Sequence, residues 1–360
     1  MMRANRFRYV AARSLDEAAR ALRDAGPAAM LLAGGTDLVP NMKRRQQTPP
    51  IVISLRRVRE LRETALNPDG SLTIGACTTL ADVVGDSQVR EHHAAFWKAA
   101  AQIATPQLRN MGTVGGNLCL DTRCNYYNQN YEWRKAIDFC MKAPQGVAIA
   151  QTDMAKPGVC WVAPGSPRCW AVSSTDSAPA LIALNAQVTL TSAEGEREIP
   201  LAELYADDGM TYLTKRPDEI LTAVRILNGR SNFRSTYWKL RRRGSFDFPV
   251  LGVAAAAQFG KGGVVESVRV VLGAVASHPV IAPGTEVLLG RPLTDDAIAE
   301  FVDRCAFVAK PLDNTDFALG WRKKVARAYL AGALRELRGD DPAQLGLLAR
   351  RAATLLPVLG

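Results

Sequence analysis

"AAMLLAGGTDLVPNMKRR", residues 28–45, sets an apolar run against a glycine pair and then a polar segment. The run "AAMLLA" is too short for a stable helix and reads as a short buried strand. "GGTDLVPNMKRR" reads as a loop entering a helix. Glycines at such a junction let backbone approach a ligand, and free amides at the helix start can face an anion. Before this stretch, "SLDEAARALRD" places Ser14 and Glu17 in capping-box spacing and Leu15, Ala18, Ala19 and Leu22 at helical spacing, with Gly26 near its close. After it, "IVISL" reads as a second buried strand. The first 55 residues therefore read as a small α/β unit.

The pattern continues from "LTIGACTTLADVVG" through a helix-rich stretch to Ile103, then the loop "TPQLRNMGTVGGN". Its glycine run, Gly112–Asn117, has the character of the first. Neither loop has the Gly-Lys-Ser/Thr of a P-loop or the G-x-G-x-x-G fingerprint, so a nucleotide here would be gripped by backbone amides and hydroxyls. Gly-Gly turns also occur with no ligand at all. Further on, "SAPALIALN", "AQVTLTS" and "EILTAVRIL" predict a short helix and strands, and "NGRSN" at 228–232 marks a boundary. Beyond it "STYWKLRR", "PVLGVAAAAQF" and "VVESVRVVLGAV" are strand-like, and the chain is helical from Thr294. Strands followed by helices predict a smaller α+β domain over 231–340, with a helical tail over 341–360.

A chain of 360 residues has room for two or three compact units. The start has no apolar h-region, and no stretch offers the roughly 18 uninterrupted apolar residues of a membrane span. The expectation is a cytoplasmic protein with no membrane contact. The formal charge of +10 is uneven: Arg225, Arg230, Arg234, Lys239, Arg241, Arg242 and Arg243 fall in a run without acids. "TYWKLRRR" suits a strand with one solvated face. Such faces serve acidic proteins or anionic cofactors as well as nucleic acid, and no nucleic-acid module signature accompanies this one, so no nucleic-acid partner is expected.

Five of the seven cysteines, Cys119 to Cys169, fall within 51 residues. An odd count in a chain this long points to reduced thiols, some free and some metal-bound. Both zinc and iron–sulfur sites use four thiolates, but structural zinc sites usually contain two C-x₂₋₄-C pairs, and here only Cys119 and Cys124 stand at such a spacing. Tyr126, Tyr127, Tyr131, Trp133, Phe139, Trp161 and Trp170 crowd the same window. They suit cover for an inorganic core, or simple packing of a long insertion. Cys77 and Cys305 read as buried hydrophobes.

The ordered set "LLAGGTDL", "QLRNMGTVGGNLC", "SAPALIALNAQVTL", "EILTAV" and "YWKLRRRGSFDFPVLGVAAA" resembles the FAD-binding medium subunits of the molybdenum hydroxylase family, which includes xanthine and carbon monoxide dehydrogenases. The likeness covers nearly the whole chain. It implies an α+β fold: a two-lobed FAD-binding domain of the vanillyl-alcohol-oxidase (PCMH) type, with lobes over about 1–57 and 58–230, then a C-terminal domain of antiparallel sheet plus helices. Carried over by motif position, FAD meets Ala33, Gly34, Gly35, Thr36 and Asp37, flanked by Leu31, Leu32 and Leu38. Gly112, Thr113, Gly116 and Asn117 close the other side. Ile103, Thr175, Asp176, Ile220, Leu221 and Lys239 complete the cofactor set, with Leu221 and Lys239 near the isoalloxazine. Asp176 also suits a helix N-cap, and Lys239 a solvated strand position. No catalytic residue is implied in this chain.

In most of that family the "GGN" loop runs within a few residues to the "D-x-APAL" helix, whereas here 59 residues separate Asn117 from Asp176. The insertion, 119–172, resembles the β subunits of the 4-hydroxybenzoyl-CoA reductase branch, where an extra loop binds a [4Fe–4S] cluster. The matching residues are Cys124, Cys140, Cys160 and Cys169. "MKAPQGVAIAQTDMAKPGV" lengthens the second-to-third interval, which leaves Cys119 as a substitute for Cys160, although Cys119 better suits a neighbour of the flavin loop. The resemblance implies an electron-transfer subunit without a substrate site, in a dimer of heterotrimers. A ferredoxin-like donor feeds this chain, and a [2Fe–2S] small subunit and a molybdopterin large subunit complete the path to 4-hydroxybenzoyl-CoA. One alternative is the FAD subunit of a molybdenum aldehyde or N-heterocycle oxidoreductase, with electrons leaving to an acceptor. An alternative of another class is a zinc-stabilised nucleic-acid-binding protein.

Overall fold

The computed structural model describes residues 3–143, 158–227 and 231–345. The expected tail beyond residue 345, the boundary residues 228–230 and most of the lengthened 141–159 segment lie outside the described residues.

Strands β1 (Arg8–Ala11), β2 (Ala29–Leu32) and β3 (Ile51–Ser54) form a parallel sheet in the order β1-β3-β2. The helix Leu15–Ala25 packs Ala18, Ala19 and Leu22 against it; the Ser14 Oγ accepts from the Glu17 N–H, and Gly26 ends the helix at φ 58°. The apolar run of β2 predicts a buried strand, but all four of its residues are only half-buried. The reason is its place at the sheet edge, where a parallel strand lacks cover on one side. That strand leads directly into the first glycine loop.

The second sheet, of antiparallel pairs, is ordered β4-β5-β8-β6-β7, from β4 (Thr64–Leu66), β5 (Leu72–Gly75), β6 (Gln187–Ser192), β7 (Gly195–Pro200) and β8 (Ile220–Ile226). Sequence reading misses β7, "GEREIP", because nearly every residue of this charged edge strand is exposed and no alternation marks it. The stretch 105–117, expected as loop, holds two short helices, Pro106–Arg109 and Val114–Leu118. Each is capped by a threonine: Thr105 accepts from the Leu108 N–H, and Thr113 from the Gly116 N–H.

A third sheet, β12-β11-β10-β9, is antiparallel and comprises β9 (Phe233–Leu240), β10 (Leu251–Phe259), β11 (Val265–Gly273) and β12 (Val280–Ile281). Its two faces follow the period of two along a strand. Trp238, Leu240, Val253, Ala255 and Ala257 pack with the helices Asp295–Cys305 and Leu319–Arg338. Tyr237, Ala254 and Ala256 pack instead into the core around the second sheet and the helices Ala94–Ala101 and Ser177–Ala183. The expectation of one solvated face on "TYWKLRRR" is therefore corrected, since Thr236–Leu240 are all buried. Several charges of the basic run over 225–243 find partners within the chain. Arg234 Nη1 donates to the Leu337 and Arg338 carbonyls at 3.0 Å, ending a helix; Arg243 Nε donates to Asp247 at 2.8 Å; Arg225 pairs with Asp69. Among the described residues no helix is long and apolar enough to cross a membrane.

His93, at the head of the helix Ala94–Ala101, is 3% exposed, and no partner for its Nδ1 occurs among the described residues. Burial, reinforced by His92, pulls its pKa down to about 4. The unfolded chain takes up this proton near pH 6.5 and the fold resists it. Stability is thus complete above about pH 6.5 and falls by about 3 kcal/mol as the pH drops to about 4. Urea midpoints at pH 7 and pH 4.5 should differ for the wild type, and His93→Gln should narrow that difference.

Candidate functional site

The two glycine loops, 80 residues apart in sequence, meet in space. A Cβ added to Gly34 would overlap the Met111 carbonyl oxygen and come 3.1 Å from Gly112 Cα, and one on Gly112 would lie 3.6 Å from Thr36 Oγ1. Gly35 turns the first loop at φ +75°. The backbone N–H groups of Gly34, Gly35, Thr36, Asp37 and Leu38 have no protein acceptor among the described residues. Successive unpaired amides of this kind form a concavity suited to an anion.

The second loop spends its amides internally. Val114 N–H bonds the Thr78 carbonyl at 3.0 Å, Gly115 N–H the Ala76 carbonyl at 2.8 Å, and Gly116 N–H the Thr113 hydroxyl at 3.1 Å. Gly115 is buried on Ala76, whereas Gly116 is exposed. Asn117 Oδ1 accepts from the Thr175 hydroxyl at 2.8 Å and the Ser177 N–H at 3.1 Å, joining this loop to the next helix.

That helix is capped by Thr175, whose hydroxyl accepts from the Ala178 N–H at 3.2 Å, and not by the Asp176 side chain. The Asp176 carboxylate is buried, taking bonds from Tyr237 Oη at 2.7 Å and Lys239 Nζ at 2.8 Å, and Lys239 also donates to the Gln102 carbonyl at 3.0 Å. Lys239 is thus no solvated strand lysine. Burial pushes the Asp176 carboxyl up and the Lys239 ammonium down, and each charge opposes the shift of the other. Thr175, Asp176, Asn117 and Lys239 come together, with Ile103 next along the chain from Gln102. At the start of β8, Leu221 joins the core under the second sheet and Ile220 the core under the first.

Asp37 has a partner that sequence reading missed. Its carboxylate pairs with the buried Arg123 and accepts from Asn41 Nδ2 at 3.0 Å. Arg123 also donates to Asn41 Oδ1 at 3.2 Å, and its guanidinium lies 4.8 Å from the centre of the Phe248 ring. The residue before Cys124 thereby ties the cysteine segment to the first glycine loop. Its position next to Cys124 is the sole signal in the sequence.

Cys124, Cys140, Cys160 and Cys169 line one cavity, together with Tyr127 and Lys142. Cys119 packs at the edge of the core under the second sheet, its carbonyl accepting from Tyr212 Oη at 3.3 Å. Among the cavity sulfurs, that of Cys169 accepts from the Ala171 N–H at 3.4 Å, while the Tyr127 N–H bonds the Cys124 carbonyl at 3.0 Å. Burial pushes the Cys124 thiol up to about 12 and the Cys169 thiol to about 11, so a bound cation must displace their protons. Among the described residues no three or more His, Cys, Asp or Glu side chains are grouped to hold a single metal ion.

Residues 5–226 match the FAD binding domain in molybdopterin dehydrogenase, and residues 235–337 match the CO dehydrogenase flavoprotein C-terminal domain. The chain belongs to the FAD-binding medium subunits of the molybdenum hydroxylase family. This flavin subunit is 33% identical over 261 residues to the aldehyde oxidoreductase FAD-binding subunit PaoB of Escherichia coli, covering 70% of this chain and 76% of that one. It is 27% identical over 293 residues to the nicotinate dehydrogenase FAD-subunit of Eubacterium barkeri, covering 80% and 81%. Among solved structures, carbon monoxide dehydrogenase from Hydrogenophaga pseudoflava lacking the Mo-pyranopterin moiety aligns with a TM-score of 0.73 at 25% identity, over 93% of this chain and 98% of that one. The α+β architecture expected from the sequence is thus the family's own. The free amides of residues 34–38 fit a flavin nucleotide, because a diphosphate is the kind of anion such an array receives.

Proposed function

We propose that this flavin subunit holds FAD at its convergent glycine loops and a [4Fe–4S] cluster on Cys124, Cys140, Cys160 and Cys169, as the electron-transfer chain of a 4-hydroxybenzoyl-CoA reductase. The observation that carries the reading is the gathering of those four cysteines on one cavity, in a segment bound to the flavin loop through Arg123 and Asp37. A tetrahedral zinc site needs all four sulfurs about 2.3 Å from one ion, whereas a cubane shares them among separate irons. Four cysteines lining one cavity supply the number of thiolates that a cubane requires. The N–H bond to the Cys169 sulfur is of the kind that tunes such a cluster.

When bound, FAD and the cluster supply one- and two-electron transfer. The chain's own residues do the holding. The amides of Gly34 to Leu38 receive the diphosphate, flanked by Ala33 and the half-buried Leu31 and Leu32. Thr113, Gly116 and Asn117 form the facing wall. Lys239 keeps a buried ammonium, oriented by Asp176, beside Gln102 and Ile103. The domain division proposed is 1–230 for the FAD-binding domain, with the iron–sulfur insertion at 119–172, and 231–340 for the C-terminal domain. Partner subunits carry molybdopterin and [2Fe–2S], in a dimer of heterotrimers served by a ferredoxin-like donor.

The reaction consumes 4-hydroxybenzoyl-CoA, two electrons and two protons, and yields benzoyl-CoA and water. A second reading, an aldehyde or N-heterocycle oxidoreductase, has the similarity to PaoB and to the nicotinate dehydrogenase subunit in its favour. The assembled complex, purified without oxygen and supplied with reduced ferredoxin, should convert 4-hydroxybenzoyl-CoA to benzoyl-CoA. Oxidation of aldehydes or nicotinate, with no dehydroxylation, would select the second reading.

A further inference from the structure

Among the described residues between Asn117 and Asp176, three cationic side chains are buried, those of Arg123, Arg134 and Lys142, and they differ in their partners. Lys142 Nζ bonds the Asp121 carboxylate at 2.8 Å, the Thr122 hydroxyl at 2.7 Å and the Gly209 carbonyl at 2.6 Å. Arg123 has the Asp37 carboxylate. Arg134 is only 1% exposed and has no carboxylate within ion-pair distance among the described residues. Its Nη2 donates to the carbonyls of Arg44 at 2.8 Å and Arg45 at 3.2 Å, while its Nε and Nη1 have no partner there. The rings of Tyr131 and Phe139 lie 6.0 and 5.9 Å from the guanidinium.

A buried guanidinium with unpaired donors is costly unless an opposite charge completes its surroundings. The backbone that follows it is also strained. Asp138 and Phe139, two successive non-glycine residues, adopt φ of 59° and 56°, a left-handed conformation that such residues seldom take. The Phe139 N–H bonds back to the Arg134 carbonyl at 2.6 Å, and Cys140 follows at once. The turn sets Phe139, the residue before Cys140, against Arg134, whose guanidinium stands outside the lining of the cavity itself. Burial pulls the Arg134 pKa down, and Tyr127 and Cys140, both on the cavity wall, act against that shift.

We propose that Arg134 is the counter-charge of the anionic cluster on the four thiolates and a positioning residue that raises its reduction potential. The proposal rests on the iron–sulfur reading above. Four thiolates leave such a cluster net negative and reduction adds one electron more, so a fixed cation favours the reduced form. The two paired cations, with Asp121 and Asp37 beside them, offer much less net charge.

The test uses the full chain in its complex, purified without oxygen, as wild type, Arg134→Met and Arg134→Lys. Iron and acid-labile sulfide are measured first, because wild type holding zinc or no iron contradicts the underlying reading before any potential is taken. The cluster is then titrated with the low-temperature electron resonance of its reduced form as readout. Arg134→Met should lower the equilibrium constant for reduction about tenfold, a shift of about 59 mV for a one-electron couple, with the FAD potential unmoved. Arg134→Lys should recover most of the shift. An intact cluster with unchanged potential in Arg134→Met overturns the proposal, as does an equal shift in both variants. If Arg134→Met retains no iron, Arg134→Gln and Arg134→Lys decide. Iron kept by lysine and lost by glutamine supports the counter-charge, and equal retention or equal loss overturns it.

Discussion

Cys160→Ser is expected to leave the flavin subunit with its FAD and with less iron than wild type, whereas Cys119→Ser keeps the full complement. Cys160 lines the cavity with Cys124, Cys140 and Cys169, and Cys119 does not. A serine hydroxyl caps iron poorly, and the three remaining thiolates hold at best a three-iron form. Serine at Cys124, Cys140 or Cys169 should act alike. FAD should persist, because the glycine loops contact one another through residues outside the cysteine segment. Iron, sulfide and flavin per chain are the measured quantities. Loss in Cys119→Ser with retention in Cys160→Ser would show that the lengthened interval has moved ligation to Cys119.

Gly34→Ala is expected to weaken FAD binding about a hundredfold, equivalent to about 3 kcal/mol. The added methyl would overlap the Met111 carbonyl oxygen, and backbone cannot yield there as a flexible side chain would. The loops must separate, and the free amides of residues 34–38 lose their facing wall. Gly116→Ala meets only the Thr113 hydroxyl, at 2.9 Å, and should cost less, though a branched valine there should still displace flavin. Asp37→Ala should do least to the flavin and more to the cysteine segment, because it strands Arg123. Flavin titration of the three apoproteins ranks them. Equal losses at Gly34 and Asp37 would count against a grip made by backbone.

What could be read from sequence depended on how far each signal was local. The capped helix after Ser14, the Gly26 stop and the strand-like runs of β9, β10 and β11 follow from patterns within a few residues, and they stand as expected. The two glycine loops were visible, but their contact was not, since the close approach of Gly34 to Met111 depends on how two elements pack. Lys239 and Arg241 were misread as a solvated face because a basic residue at every second position looks the same whether water or another layer covers the sheet. Here the core around the second sheet covers it, and Asp176 and the Gln102 carbonyl take the charges. The edge position of β2 and the pairing of Asp37 with Arg123 were hidden for the same reason. Arg134, lying between two cysteines in a basic stretch of helix, carried no mark of its burial.

Analysis of the wild-type chain, purified in its complex without oxygen, tests the central claim most directly: FAD, iron, acid-labile sulfide and zinc per chain, with the resonance spectrum of the reduced protein. The account predicts one FAD and, on this chain, four irons with matching sulfide and a signal that appears on reduction. One zinc per chain without iron or sulfide on this subunit, or cysteines that hold no metal, would contradict it.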